Sequence, residues 1–152
     1  METPEQTPAG QEFFAIMDAM KEKVADRFEL LLPPPCFIAH GGHITEFKAG
    51  EFMVVEFPIR RAQLNPLGNL QGGIMGAFID DTMGPLTFAT VRKPTVSLDL
   101  SVNFIRGASE NERVRVRAEV KSRGRRALSL YAEAFNQRDK LMATATSNVL
   151  VL

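Results

Sequence analysis

The chain has 152 residues, 45% hydrophobic and 24% charged, which fits one domain of ordinary size with a core of its own. Eighteen basic and eighteen acidic residues cancel, so no global charge draws the chain to nucleic acid or to an anionic membrane. A single cysteine, Cys36, excludes an internal disulfide, and no apolar run reaches the roughly 18 residues of a membrane span. The N-terminus, METPEQTPAGQE, lacks the basic and apolar regions of a secretory signal, so the expected localisation is cytoplasmic.

In chain order, residues 1–10 read as a disordered tail and residues 11–152 as a single domain. Phe13, Met17, Met20, Val24, Phe28 and Leu31 recur at three- and four-residue steps, which predicts an amphipathic helix over 11–32, ended by Pro33-Pro34-Pro35. Residues 36–48 predict a short strand, a turn at Gly41-Gly42 and the start of a second strand. His40 and His43 then flank that turn at the surface, and with no acid as third ligand they give little support to zinc. Met53, Val55, Phe57 and Ile59 alternate as a strand. After the central helix described below, Leu98, Leu100, Val102 and Phe104 alternate with polar residues and predict one strand over 97–104. Further strands follow at 113–120, 127–136 and 141–151, linked by short polar turns. Consecutive strands of this kind pair antiparallel. The fold class is α+β: a curved antiparallel sheet wrapped around one long helix.

That helix lies in residues 65–90, NPLGNLQGGIMGAFIDDTMGPLTFAT. Turn residues open it, and an apolar run with small residues at helical spacing continues it. At about 100° per residue, Met75, Phe78, Ile79, Met83, Leu86 and Ala89 share a broad face, which must meet the sheet. Gly73, Gly76, Ala77, Asp80, Gly84 and Thr87 share a narrow one. Glycine costs roughly 1 kcal/mol against alanine inside a helix, so Gly76 and Gly84 suggest a required close approach by a helix or ligand. Asp80 faces this stripe. Asp81 points away from it, toward Ile74, Pro85 and Phe88, and is the weaker catalytic candidate. The free N–H groups at Gly72-Gly73 form a ready carbonyl or oxyanion site, and Asn65 and Gln71 add amides. An acid, an amide and helix N–H groups form a set suited to acyl-group hydrolysis. Gly72 and Asp80 are separated by about 12 Å of helix, too far for one scissile carbonyl to touch both in one chain. A two-fold that brings Asp80 of one subunit to Gly72 of another resolves this and predicts a homodimer with shared sites.

These residues resemble the PaaI-like hotdog-fold acyl-CoA thioesterases. The family signature, Asn-x-x-Gly-x-x-His-Gly-Gly followed after six residues by Asp, reads here as Asn65-Pro66-Leu67-Gly68-Asn69-Leu70-Gln71-Gly72-Gly73 and then Asp80. Ser97-Leu98-Asp99 and Phe104-Ile105-Arg106-Gly107-Ala108 match later family patterns, and the resemblance covers roughly residues 45–152. It implies that Asp80 is general base or nucleophile, that Asn65 holds the water or thioester, that the Gly72 N–H polarises the carbonyl and that Ser97 assists Asp80. Leu67, Gly68 and Gly73 would contact the substrate. The coenzyme A tail would lie along basic turns, with Arg106, Lys121, Arg123, Arg125 and Arg126 as candidates. The chain departs from the family at Gln71, where His is usual. An amide bonds but does not titrate near neutral pH, so Gln71 is expected to alter rate or specificity rather than abolish catalysis.

The expected function is therefore hydrolysis of acyl-CoA to the free acid and coenzyme A, with no metal and no cofactor beyond coenzyme A in the substrate. Neither nucleic acid nor membrane is an expected partner, and a dimer of dimers is the expected assembly. The rival reading is a non-catalytic acyl-CoA-binding module, a sensor or carrier partner. A dehydratase of the same fold would want a His–Asp pair on the helix, and no His follows His43. Phe13, Phe14, Phe78, Phe88, Leu67 and the methionines suggest an adaptable apolar groove for the acyl group.

Overall fold

A computed structural model gives the fold and describes residues 6–152. Three helices and seven strands follow in the order α1 (Pro8–Val24), α2 (Pro35–His40), β1 (His43–Lys48), β2 (Phe52–Pro58), α3 (Gly72–Val91), β3 (Thr95–Ser97), β4 (Ser101–Phe104), β5 (Arg113–Arg123), β6 (Ala127–Asn136) and β7 (Leu141–Val151). A single turn of 3-10 helix, Arg61–Gln63, precedes α3. All pairings are antiparallel, in the order β1-β2-β5-β6-β7-β3, with β4 also on β7. The curled sheet wraps α3, as the α+β reading requires.

The broad apolar face of α3 meets the sheet as its periodicity demands. Phe78, Ile79 and Leu86 are fully buried, and Met75, Met83 and Ala89 nearly so. Phe78 stacks flat on Phe57 of β2, with centroids 4.4 Å apart, which fixes the helix against the strand. From the other side Val114, Val116 and Ala118 of β5 close the core, while the alternate Arg113, Arg115 and Arg117 face outward. The α3 threonines are each satisfied: Thr82 and Thr90 donate to carbonyls four residues back, and Thr87 also bonds Thr95 at the start of β3.

The N-terminal segment corrects several expectations. Residues 1–5 of the predicted tail lie outside the described residues. The rest of that tail is not separate: Thr7 caps the Gly10 N–H, and helix α1 already begins at Pro8. It also ends early, at Val24 rather than at the prolines, and Leu31 is exposed. Residues 36–40 form a short helix, not a strand. Pro35 occupies its first turn, where a missing N–H costs nothing, and Gly41 terminates it in the left-handed conformation at φ 72°. Gly42 is tight: an added Cβ would lie 2.6 Å from the Phe37 ring.

The predicted strand over 97–104 is two strands, β3 and β4, lying end to end along β7. The break has a cause. Leu98 N–H still donates to Asn148, but the Asp99 carboxylate then takes over as acceptor, from the Asn148 backbone N–H and from its side-chain Nδ2, each at 2.9 Å. Ser147 Oγ donates to the Asp99 carbonyl. The Asn148 side-chain N–H, and after it the backbone N–H, hold the Asp99 carboxyl below its ordinary value of 3.8. The folded value lies below the unfolded one, so this contribution is complete above the ordinary value and is lost as pH falls through the folded value. Asp99→Ala is therefore expected to be less stable than the parent at neutral pH, with the difference closing below pH 3.8. Urea midpoints at neutral and acid pH measure it, and an equal gap at both would count against the Asp99 clamp.

Candidate functional site

The loop before α3 is built on two amides. Asn65 Oδ1 accepts from the N–H groups of Leu67 and Asn69, an Asx turn, and Gly68 completes the bend at φ 76°. With its oxygen committed, the Nδ2 of Asn65 is the end available to donate. The loop is tied down where Leu70 N–H donates to the Ala108 carbonyl and where Gln71 N–H donates to the Gln63 carbonyl. Gln63, which sequence reasoning passed over, is buried and closes a capping box with Arg60.

Gln71 is the N-cap of α3. Its side-chain oxygen accepts from the Gly73 N–H, so that N–H is already used and is not available to a substrate. The Gly72 N–H has no hydrogen-bond partner among the described residues. The Phe104 ring covers Gly72 closely: an added Cβ would lie 3.2 Å from the ring, which would have to give by a few tenths of an ångström. Asn65, Gly72, Phe104 and Arg106 line one cavity of about 370 Å³, whose apolar wall includes Leu70, Met75 and Met142.

Asp80 lies elsewhere. It is exposed on α3, and Ser97 Oγ of β3 donates to its Oδ1 at 3.2 Å. It opens on a second cavity, of about 180 Å³, between α3 and the N-terminal helices. Asp81, expected to point away from Asp80 toward Pro85 and Phe88, lines the same cavity with both of those residues. Its carboxylate accepts from His40 Nδ1 at 2.6 Å and from Cys36 Sγ at 3.2 Å. His40 is thus not a free surface side chain. Burial, and then the Asp81 carboxylate, push the Cys36 thiol up, so it stays a protonated donor. No local signal could have shown this cluster, because Asp81 is 41 and 45 residues from its partners.

The two halves of the predicted set are thus separate in the chain: Asn65 with Gly72, and Asp80 with Ser97. On α3, a Cβ added at Gly76, between them, or at Gly84, one turn beyond Asp80, would meet nothing within 4 Å. Gly84 has a local reason to be glycine as well, because it precedes Pro85 within the helix. The basic candidates also divide. Arg106 is in the Gly72 cavity, whereas Arg123 and Arg125 line a groove of about 360 Å³ with Lys93, beside Val91 at the far end of α3. Arg126 is exposed on the same hairpin. Lys121 is paired with Glu119, whose carboxyl is held low by Lys121 and then Arg117. Of the predicted groove residues, Phe13, Phe14 and Phe78 are in the closed core, Leu67 is 85% exposed, and Phe88 lines the Asp80 cavity. Among the described residues no helix is long and apolar enough to cross a membrane.

A family model described as the thioesterase superfamily matches residues 67–143. Among solved structures, the PaaI protein of the Escherichia coli phenylacetic acid degradation operon superposes with a TM-score of 0.78 at 19% identity, covering 93% of this chain and 94% of that one. A phenylacetic acid degradation-related protein from Ralstonia eutropha is 32% identical, with a TM-score of 0.73 over 85% of this chain and 98% of its own. A variant of PaaI from Thermus thermophilus is 26% identical, with a TM-score of 0.73 over 78% of this chain and all of its own. A search of curated proteins gives no match. The chain belongs to the thioesterase superfamily, a class of thioester hydrolases with the architecture described above. Within it, the chain is a PaaI-like hotdog thioesterase.

Proposed function

We propose that the chain hydrolyses acyl-CoA thioesters, in a site completed by a second copy of the chain. The reading rests on one observation: each half of the catalytic set is intact and neither is complete. The Asn65 amide and the unpartnered Gly72 N–H share one cavity, and the Asp80 carboxylate, with the Ser97 hydroxyl on it, opens on another. In the proposed site the Gly72 N–H donates to the thioester oxygen, where negative charge develops as the carbonyl is attacked. Asn65 Nδ2 orients the water or the thioester. Asp80, placed by Ser97, either takes the proton from water or attacks the carbonyl itself. If water attacks, the C–S bond breaks and the acid forms directly; if Asp80 attacks, C–S cleavage leaves a mixed anhydride on Asp80 that water then hydrolyses. On either route the thiolate takes up a proton and the acid and coenzyme A depart.

Arg106 is the candidate for phosphates near the Gly72 cavity. The Lys93, Arg123 and Arg125 groove is the candidate for the far end of the coenzyme. Gln71 acts through its cap: it fixes the first turn of α3 and so aims the Gly72 N–H. Thiol release from a panel of aryl, short-chain and long-chain acyl-CoAs tests the proposal. Release from at least one class is expected. Tight binding across the panel without any release would replace the enzyme with an acyl-CoA-binding module.

A further inference from the structure

The second acid of α3 has a geometry that hydrolysis does not use. Cys36 and His40 are four residues apart on α2 and therefore share one face of it. Both donate to Asp81, one to each carboxylate oxygen. A single side chain of α3 thus pins both ends of α2. The His40 half of the pin is sheltered, since the Asp81 side chain is 10% exposed and that of His40 21%, whereas Cys36 is exposed. A helix of six residues cannot hold itself in water, so its place depends on such tertiary ties.

What α2 does there is visible in the cavity beside it. Phe37 and Pro34, from the α2 segment, together with Met17 of α1, face Pro85 and Phe88 of α3 across a space that opens on Asp80. Asp81 reaches the same space only as a carboxylate already engaged by two donors. Asp80 is left as the reactive group in an otherwise apolar cleft. Its volume of about 180 Å³ is small, given that an apolar cavity of about 150 Å³ takes one benzene ring.

We propose that Asp81 is a positioning residue, which through His40 and Cys36 fixes α2 as the wall of an acyl pocket opening on Asp80. This rests on Asp80 being the catalytic acid. The reacting carbonyl must come within about 3–3.5 Å of it. The acyl chain beyond that carbonyl needs an apolar place, and this cleft adjoins the carboxylate. The pocket then selects small acyl groups, and α2 sets its limit.

The experiment measures kcat, KM and Kd for acyl-CoAs of rising acyl size on the full-length parent, Asp81→Ala, Asp81→Asn, the double variant Cys36→Ala/His40→Ala, and an Asp80→Asn control. Removing the pin is expected to raise KM about tenfold for the acyl groups the parent prefers, with kcat changed by less than about threefold, so that larger acyl groups gain relative to smaller ones. Asp81→Asn keeps one acceptor oxygen and should fall between. The double variant cuts the same two bonds from the α2 side and should reproduce the shift even if Asp81→Ala fails to fold. A loss by the same factor across the panel, or no change in selectivity, would overturn the proposal while leaving hydrolysis intact. If the parent releases no thiol, or Asp80→Asn keeps full activity, the catalytic reading fails instead. Kd then decides: a dependence on acyl size that vanishes with the pin sustains the positioning role, and its persistence ends it.

Discussion

Asp80→Asn is expected to lower turnover about 10²-fold or more, the scale of losing a general base, with little change in stability. The second part follows from exposure. Asp80 is solvated and its one side-chain bond among the described residues is to Ser97, so the amide leaves no buried charge unpaired. Asn keeps the size of the side chain and can still accept from Ser97, but it can neither take a proton from water nor attack the carbonyl as a carboxylate does. Steady-state thiol release with a urea midpoint on the same preparation separates lost chemistry from lost folding. Full turnover in a folded Asp80→Asn protein would remove this residue from the mechanism and with it the proposed assignment of the site.

Asn65→Ala should be about as damaging, on the scale of losing an oxyanion-type donor, and its combination with Asp80→Asn carries more information. Each protein alone is expected to be nearly inactive. Co-expressed in equal amounts, they should recover about a quarter of parental activity, because about half of the dimers are mixed and each of those has one intact site of two. The intact site takes Asn65 and Gly72 from the chain that carries Asp80→Asn, and Asp80 with Ser97 from the other. No recovery, despite demonstrated mixed dimers, would mean that each site is built within one chain. The separation of the two cavities, and the roughly 12 Å of helix between Gly72 and Asp80, make that outcome hard to accommodate.

Much of the scaffold is legible in sequence because its signals are periodic. The large apolar residues buried on α3 are those that a 3.6-residue repeat picks out, and Val114, Val116 and Ala118 follow the two-residue repeat of β5. Thr87 is the exception: the same repeat puts it on the narrow stripe, yet it is fully buried, because its hydroxyl bonds Thr95 at the start of β3. The failures lie where a distant partner overrides a local pattern. Alternation from Leu98 to Phe104 predicts an unbroken strand, but Asn148 draws Asp99 out of the ladder. The proline run reads as a stop, yet Pro35 also starts α2, and only the packing of Phe37 against Phe57 shows that a helix is wanted there. At the site, the Asn65 turn and the Gly72 terminus are readable from spacing. The tie from Ser97 to Asp80 was expected from family resemblance, and spacing alone does not give it. The bonds from Asp81 to Cys36 and His40 have no counterpart in any short motif. Gln71 is a partial case: the sequence marks an amide at the start of α3, and only the structure shows its oxygen capping Gly73.

The open space at Gly76 has a meaning of its own under the proposed two-fold. An axis that sets Gly72 opposite the other chain's Asp80 must pass midway between them along the helix, which is at residue 76. Every other position on the stripe then has a complementary neighbour of different number, and a misfit there can be relieved by changing that neighbour. Position 76 has only itself. A side chain added at Gly76 would meet its own image, so one substitution would place two new side chains on the axis at once. The absence of a Cβ there is thus a constraint of symmetry as much as of packing.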